Sequence, residues 1–142
     1  MNDDARKYVD LLVEHFWKKG YFTISRKFGT YLPEPAKVGE FDVDIVARYK
    51  KNYAIGITLS IDDLNSEKLI DKLNYLATRK TKYTNKKVNL FVGVDPSLMK
   101  RAKMIIEKLD ADIRSNIKLF PIVERSLAIK RKERSKNEIL FS

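Results

Sequence analysis

Asp42 and Asp44, near the end of the first third of the chain, are the side chains best suited to chemistry. They alternate with apolar residues across residues 39–48. In a β-strand this alternation places both carboxylates on one face, opposite the apolar side chains. A carboxylate beside a buried strand requires a cation or a hydrogen-bond donor. The pair therefore predicts either a divalent-metal site or a positively charged partner, and the alternative is an exposed strand face paired with lysines.

The elements that would position these aspartates follow from periodicity and from turn residues. The predicted order is a helix ending at Gly20, a strand at 21–26, a loop at 27–38, strands at 39–49 and 52–60, a helix from Asp62 or Asp63 to about Tyr83, a strand at 88–94, a helix beginning at Pro96 and a strand at 117–123. Strands joined by short turns are expected to be antiparallel, and strands that alternate with helices parallel. We therefore expect an α/β fold: a mixed sheet with an antiparallel front half, flanked by helices on both faces. Residues 1–123 form the predicted domain, and residues 124–142 a basic tail or helix.

Composition narrows the possible partners. The chain has 142 residues, no cysteine and a formal net charge of +10. The lack of cysteine excludes disulfides and thiolate metal sites and favours a cytoplasmic location. No apolar run is long enough to cross a bilayer, so no membrane partner is expected. The positive charge favours nucleic acid as the partner, and the alternative is a solvated, lysine-rich surface.

The cations that would contact nucleic acid fall into three clusters. They are Lys18, Lys19, Arg26 and Lys27; Arg79, Lys80, Lys82, Lys86 and Lys87; and Lys130, Arg131 and Lys132 in the tail. Tyr83 lies within the second cluster. Such clusters can neutralise several phosphates, with binding that weakens steeply as salt rises. The second cluster is equally consistent with a solvated helix end, where the helix dipole favours cations, and the third with a tail that only aids solubility.

Three short segments, at residues 16–21, 44–47 and 53–58, resemble the PD-(D/E)xK nuclease superfamily, and archaeal Holliday-junction resolvases in particular. The resemblance covers about the first two-thirds of the chain. It implies a restriction-endonuclease-like fold and a homodimer that binds DNA, including branched DNA, or structured RNA. It also implies that Asp44 holds Mg²⁺ or Mn²⁺, while a Glu-x-Lys pair on the next strand supplies a second ligand and a lysine beside the attacked phosphate.

The chain differs from this motif at the two positions of the Glu-x-Lys pair. Gly56 stands in place of the glutamate and Thr58 in place of the lysine. We therefore expect a nuclease fold that binds nucleic acid with a weak or lost catalytic centre. One alternative is an active metal-dependent endonuclease, in which Asp42 replaces the missing glutamate and Lys68 or Lys72 supplies the lysine. Another is a protein-interaction module on the same fold.

Overall fold

The computed structural model describes residues 2–123, with side chains for residues 5–123. Its elements, in chain order, are α1 (Asn2–Lys18), β1 (Phe22–Arg26), β2 (Ile45–Tyr49), β3 (Asn52–Leu59), α2 (Ile61–Asn65), α3 (Leu69–Ala77), β4 (Asn89–Val94), a 3₁₀ turn (Pro96–Leu98), α4 (Met99–Ile106), α5 (Ala111–Ser115) and β5 (Ile117–Pro121). The tail predicted at 124–142, with Lys130, Arg131 and Lys132, lies outside the described residues.

The five strands form one sheet in chain order. β2 pairs antiparallel with both β1 and β3, whereas β4 pairs parallel with both β3 and β5. This arrangement confirms the predicted α/β class and the mixed sheet with an antiparallel front half.

Among the described residues, no helix is both long and apolar enough to span a membrane.

Helices cover both faces of the sheet, as predicted. On one side, which we call the α1 face, Leu12 and Phe16 of α1 pack against Ile45. On the other, the α3 face, Leu73 and Leu76 of α3 belong to the larger cluster of buried side chains. Each fully buried side chain of this size contributes about 1.5–3 kcal/mol. The two layers therefore fix the sheet on which every candidate site is built.

The strand predicted at 39–49 begins only at Ile45, so the expectation that Asp42 and Asp44 share a strand face is wrong. Val38 and Phe41 instead pair with each other across a tight turn, through backbone hydrogen bonds of 2.9 and 3.2 Å. Gly39 has a φ of +64° in this turn, a conformation that glycine adopts without strain. The turn leaves Asp42 exposed in a loop.

The helix predicted from Asp62 or Asp63 to Tyr83 is also wrong in its extent. Ser60, not an aspartate, is the N-cap of α2. In a capping box, the Asp63 N–H donates to the Ser60 hydroxyl, and the Asp63 carboxylate accepts from the Ser60 N–H. The backbone becomes extended at Ser66, and α3 ends at Ala77. The Thr78 hydroxyl then donates to the carbonyl of Asn74, a bond that competes with further helix. Residues 79–88 are consequently free to form a different structure.

Candidate functional site

Asp44 is held in place by its backbone, although it precedes β2. Its N–H donates to the Gly56 carbonyl at 3.0 Å, and its own carbonyl accepts from the Lys27 N–H at 2.9 Å. These bonds extend the pairing of β2 by one residue toward β1 and β3. Asp44 is therefore fixed between the end of β1 and the end of β3.

The carboxylate of Asp44 is fully engaged inside the protein. Oδ2 accepts from the backbone N–H of Thr58 at 2.6 Å and from its hydroxyl at 2.9 Å. Oδ1 lies 3.5 Å from Nζ of Lys27. Asp44 is only 9% exposed, so these partners supply the donors and the cation that a buried carboxylate requires. We call Asp44, Thr58 and Lys27 the carboxylate site.

Gly56 lies next to this site, against α1. A Cβ at residue 56 would be 2.6 Å from Cε2 of Phe16 and 3.0 Å from Cδ2 of Leu12. Both neighbours are buried core residues, and the Phe16 ring cannot turn away easily. The close approach of α1 to β3 explains why glycine occupies position 56, where the resemblance to the nucleases would require a glutamate.

The remaining first-helix and loop acids do not join Asp44. Asp10 pairs with Arg26, Glu14 lies 3.3 Å from Lys18, and Asp42 is exposed. Throughout the described side chains, no three His, Cys, Asp or Glu residues lie close enough to hold one metal ion. Divalent magnesium sites combine one or two carboxylates with substrate phosphates. Asp44 is a single carboxylate, already hydrogen-bonded at Oδ2 and paired with Lys27 at Oδ1. It therefore fits a resident Mg²⁺ or Mn²⁺ poorly.

The two lysines named in the active-endonuclease alternative line a different part of the surface. Lys68 and Lys72 line a cleft with Leu59 and Asp63. The lysine that does reach Asp44 is Lys27, from the loop that follows β1. Lys27 therefore neutralises the carboxylate.

Asp95, at the end of β4, is a second carboxylate with a structural task. It caps the 3₁₀ turn by accepting from the Ser97 hydroxyl at 2.7 Å and the Ser97 N–H at 2.9 Å. These two bonds hold the pKa of Asp95 below its usual value, the Tyr8 hydroxyl adds to the effect, and partial desolvation opposes it. Asp95 thus ties α1 to the end of β4.

Residues 79–88 form an antiparallel hairpin, which we call the basic hairpin. Lys80 pairs with Lys87 across it, and the Val88 N–H donates to the Arg79 carbonyl at 3.0 Å. At its turn, Asn85 adopts a φ of +54°, which asparagine tolerates well. The sequence predicted that the basic residues of this segment lie at the end of a helix. In the structure they lie along a small, two-stranded ribbon.

The side chains of the basic hairpin divide into one anchor and several exposed groups. The Arg79 guanidinium stacks 3.7 Å from the centre of the Tyr75 ring, and its Nε donates to the Tyr75 carbonyl at 2.7 Å. The exposed cations are Lys80, Lys82, Lys86 and Lys87. None of these four lysines forms an ion pair with another described residue. Tyr83 is 92% exposed between them.

Asn116, a residue that the sequence did not single out, fastens the base of the basic hairpin. Its side-chain N–H groups donate to the carbonyls of Ala77 at 2.7 Å and Val88 at 2.8 Å. Asn116 is 6% exposed, so neither carbonyl has ready access to water as a substitute partner. The only sequence signal was an amide immediately before an apolar strand, which is too common to be diagnostic.

The first basic cluster differs from the hairpin because most of its charge is already paired. Lys18, Arg26 and Lys27 each contact a carboxylate of the chain, whereas Lys19 is exposed. Fewer cations of the first cluster are therefore available to bind phosphates than the sequence suggested.

The carboxylate site and the basic hairpin lie apart. Thr58 lies near the carboxyl end of β3 and shares its side of the strand with Gly56, which faces α1. The hairpin precedes β4 and leans over Val46 and Ile55, whose side chains are on the α3 face. A phosphate held by the hairpin would consequently not reach Asp44.

The chain matches no protein-family model, no curated protein and no solved structure. The resemblance to the PD-(D/E)xK nucleases therefore stays a prediction based on three short segments. The geometry of the two sites carries the functional argument.

Proposed function

We propose that this protein binds nucleic acid through the basic hairpin and has a weak or lost catalytic centre. The observation that carries the proposal is the set of four exposed lysines on one ordered ribbon, without acidic partners among the described residues. Phosphates are the commonest partners of such a surface, and the net charge of +10 adds long-range attraction. DNA, including branched DNA, and structured RNA are the proposed ligands.

Two features support the loss of catalysis. The Asp44 carboxylate is bonded to Thr58 and Lys27, so a metal ion would have to displace these partners. The close contact of Gly56 with Phe16 leaves no room for an acidic side chain at position 56. Removing one electrostatic group from a catalytic site typically costs about 10²–10³ in rate, and here both the glutamate and the lysine of the motif are absent.

Replacing Lys82, Lys86 and Lys87 together by glutamine tests the binding proposal. We expect the slope of log K against log salt for duplex DNA to fall by about 2 to 3, because each phosphate contact contributes about 0.9. Fluorescence anisotropy across a salt series measures the slope. The matched control replaces three exposed lysines remote from the hairpin, Lys100, Lys103 and Lys108, which removes the same charge.

Equal losses in the two triple variants would contradict a hairpin site and indicate non-specific attraction. No salt-dependent binding of any nucleic acid would reject the proposal and favour a protein-interaction module. The same samples, incubated with Mg²⁺ or Mn²⁺, test the alternative of an active endonuclease. Cleavage that Asp44→Ala abolishes would contradict the loss of catalysis.

A specific observation also favours self-association, the homodimer that we propose as the assembled form. Trp17 and Phe22 are 65% and 64% exposed, and their rings meet edge to face at 5.7 Å. Ile24, on the same edge strand β1, is 41% exposed. The helical spacing of Leu12, Phe16 and Trp17 predicts that Trp17 lies in the core, and its exposure shows that this prediction is wrong. Adjacent exposed apolar groups of this size commonly mark contact surfaces.

Phe22→Asp is expected to shift a concentration-dependent dimer to monomer, because it places a charge within the apolar contact. Its effect on folding should be within about 0.5 kcal/mol, as for other surface changes. Sedimentation equilibrium measures the association. Met104→Asp, at another exposed apolar residue on α4, is the control. A wild-type chain that is monomeric at all concentrations would contradict the dimer.

A further inference from the structure

A groove of about 470 Å³ lies between the basic hairpin and the α3 face of the sheet. Val46, Tyr53, Ile55 and Val88 contribute apolar and aromatic surface to its floor. Lys80 and Lys82 of the basic hairpin also line the groove, and we call these two exposed lysines its rim. The groove therefore combines an apolar floor with a cationic margin, and its volume falls in the range of about 300–1,000 Å³ that ligand sites occupy.

The chemistry of this groove suits a ligand with two distinct parts. The floor favours a flat apolar body, which the Tyr53 ring can contact by stacking. The rim favours a negative charge next to that body, because its lysines have no acidic partner among the described residues. A nucleotide has this construction, with a planar base on one side of the sugar and a phosphate on the other.

The groove is built before any ligand arrives. Asn116 holds the base of the hairpin, and Arg79 is stacked on Tyr75 beneath it. On the sheet side, the Arg48 guanidinium lies 5.8 Å from the centre of the Tyr53 ring. A site that is already ordered loses less conformational entropy on binding, which favours capture of a flexible chain.

We propose that the groove receives unpaired bases, so that the ligand of this protein is single-stranded nucleic acid or a single-stranded segment of a branched one. The inference rests on the proposed function and narrows its ligand class. A base within a duplex is stacked and paired, and cannot reach the floor beneath the hairpin. An unpaired base can enter while its flanking phosphates contact Lys80 and Lys82.

An abasic oligonucleotide separates base binding from phosphate binding. Anisotropy would compare a labelled oligothymidylate of about 16 nucleotides, near the upper site size of single-strand binders, with an abasic strand of equal phosphate count and with a duplex. We expect the intact single strand to bind on the order of tenfold more tightly than either at the same salt, since stacking supplies the difference.

Tyr53→Leu tests whether the groove causes the difference in affinity between the intact and the abasic strand. Leucine keeps the apolar packing and removes the ring. The variant should weaken binding of the intact strand by about fivefold to tenfold and leave the abasic strand unchanged. Tyr49→Leu, at an exposed tyrosine on the neighbouring strand β2, is the control. Thermal unfolding of both variants confirms that they are folded.

The outcomes distinguish the two proposals. Equal affinity for intact and abasic strands, or an intact strand unaffected by Tyr53→Leu, would overturn the groove inference and leave hairpin binding standing. Failure to bind any of the three nucleic acids would overturn both. Polyglutamate that competes as strongly as the oligothymidylate would show that negative charge alone accounts for binding, and would also overturn the inference.

Discussion

Asn116→Asp is expected to lower the free energy of unfolding by about 3–5 kcal/mol, the usual cost of leaving a buried charge without a partner. The change replaces the side-chain NH2 group, which supplies both N–H donors, by one carboxylate oxygen that faces the carbonyls of Ala77 and Val88. Three acceptors then converge in a buried space without a donor between them. Urea unfolding of the full chain measures the loss.

The effect of Asn116→Asp should depend on pH in a defined direction. Burial beside two carbonyls raises the pKa of the introduced carboxyl in the folded state, because only its protonated form can donate. The folded state then binds the proton more tightly than the unfolded chain, so the loss of stability shrinks as the pH falls. Asn52→Asp, at an exposed strand end, should show neither the loss nor this trend.

Hydrogen exchange gives a second, local measurement for this variant. The Val88 and Leu90 amides lie where Asn116 fastens the hairpin to β4, and their protection should fall more than that of β2. Equal loss of protection throughout the sheet would show that Asn116 stabilises the domain without a special role at the hairpin. Wild-type stability would contradict the assigned hydrogen bonds.

Gly56→Glu, which introduces the glutamate of the motif that the sequence resembles, is expected to prevent stable folding. The new Cβ would lie 2.6 Å from Phe16, and overpacking of a core costs about 1–3 kcal/mol before the buried carboxylate is counted. Gly56→Ala carries the steric part alone and should lose about 2 kcal/mol. Circular dichroism and urea unfolding of the two variants measure both effects.

Gly93→Ala is the matched control for the steric argument. Gly93 lies opposite Thr58 on β4, and its added Cβ would also meet an atom at 2.6 Å. That atom is Cδ1 of Ile122, the end of a flexible side chain. The loss should consequently be smaller than for Gly56→Ala. A stably folded Gly56→Glu variant that cleaves DNA with Mg²⁺ would contradict our account of why glycine is present.

Local patterns were sufficient for the architecture. The apolar runs of β3 and β4 predicted their strands to within a residue at each end. The short turn before β3 and the helices after it predicted which strands are antiparallel and which parallel. These features depend on neighbours in sequence, so periodicity is enough to reveal them.

Local patterns failed where residues compete for alternative structures. The apolar and lysine-rich run after Asp63 is compatible with a helix to Tyr83, but the bonds of Thr78 and the turn at Asn85 favour a hairpin. The alternation around Asp42 is compatible with a strand, but the tight turn at Gly39 removes it from the sheet. In both places the residue pattern allowed two local structures, and turn and side-chain hydrogen bonds that periodicity does not reveal decided between them.

The sequence by itself determined a basic α/β domain with a mixed sheet, because composition and apolar periodicity act residue by residue. Only the tertiary structure decided that Thr58 and Lys27 would occupy the Asp44 carboxylate, and that the basic hairpin would lie on the other face of the sheet. These outcomes depend on which distant segments the strand order brings together. The physical reason is that a charge's partner is set by distance in space, which sequence spacing does not encode.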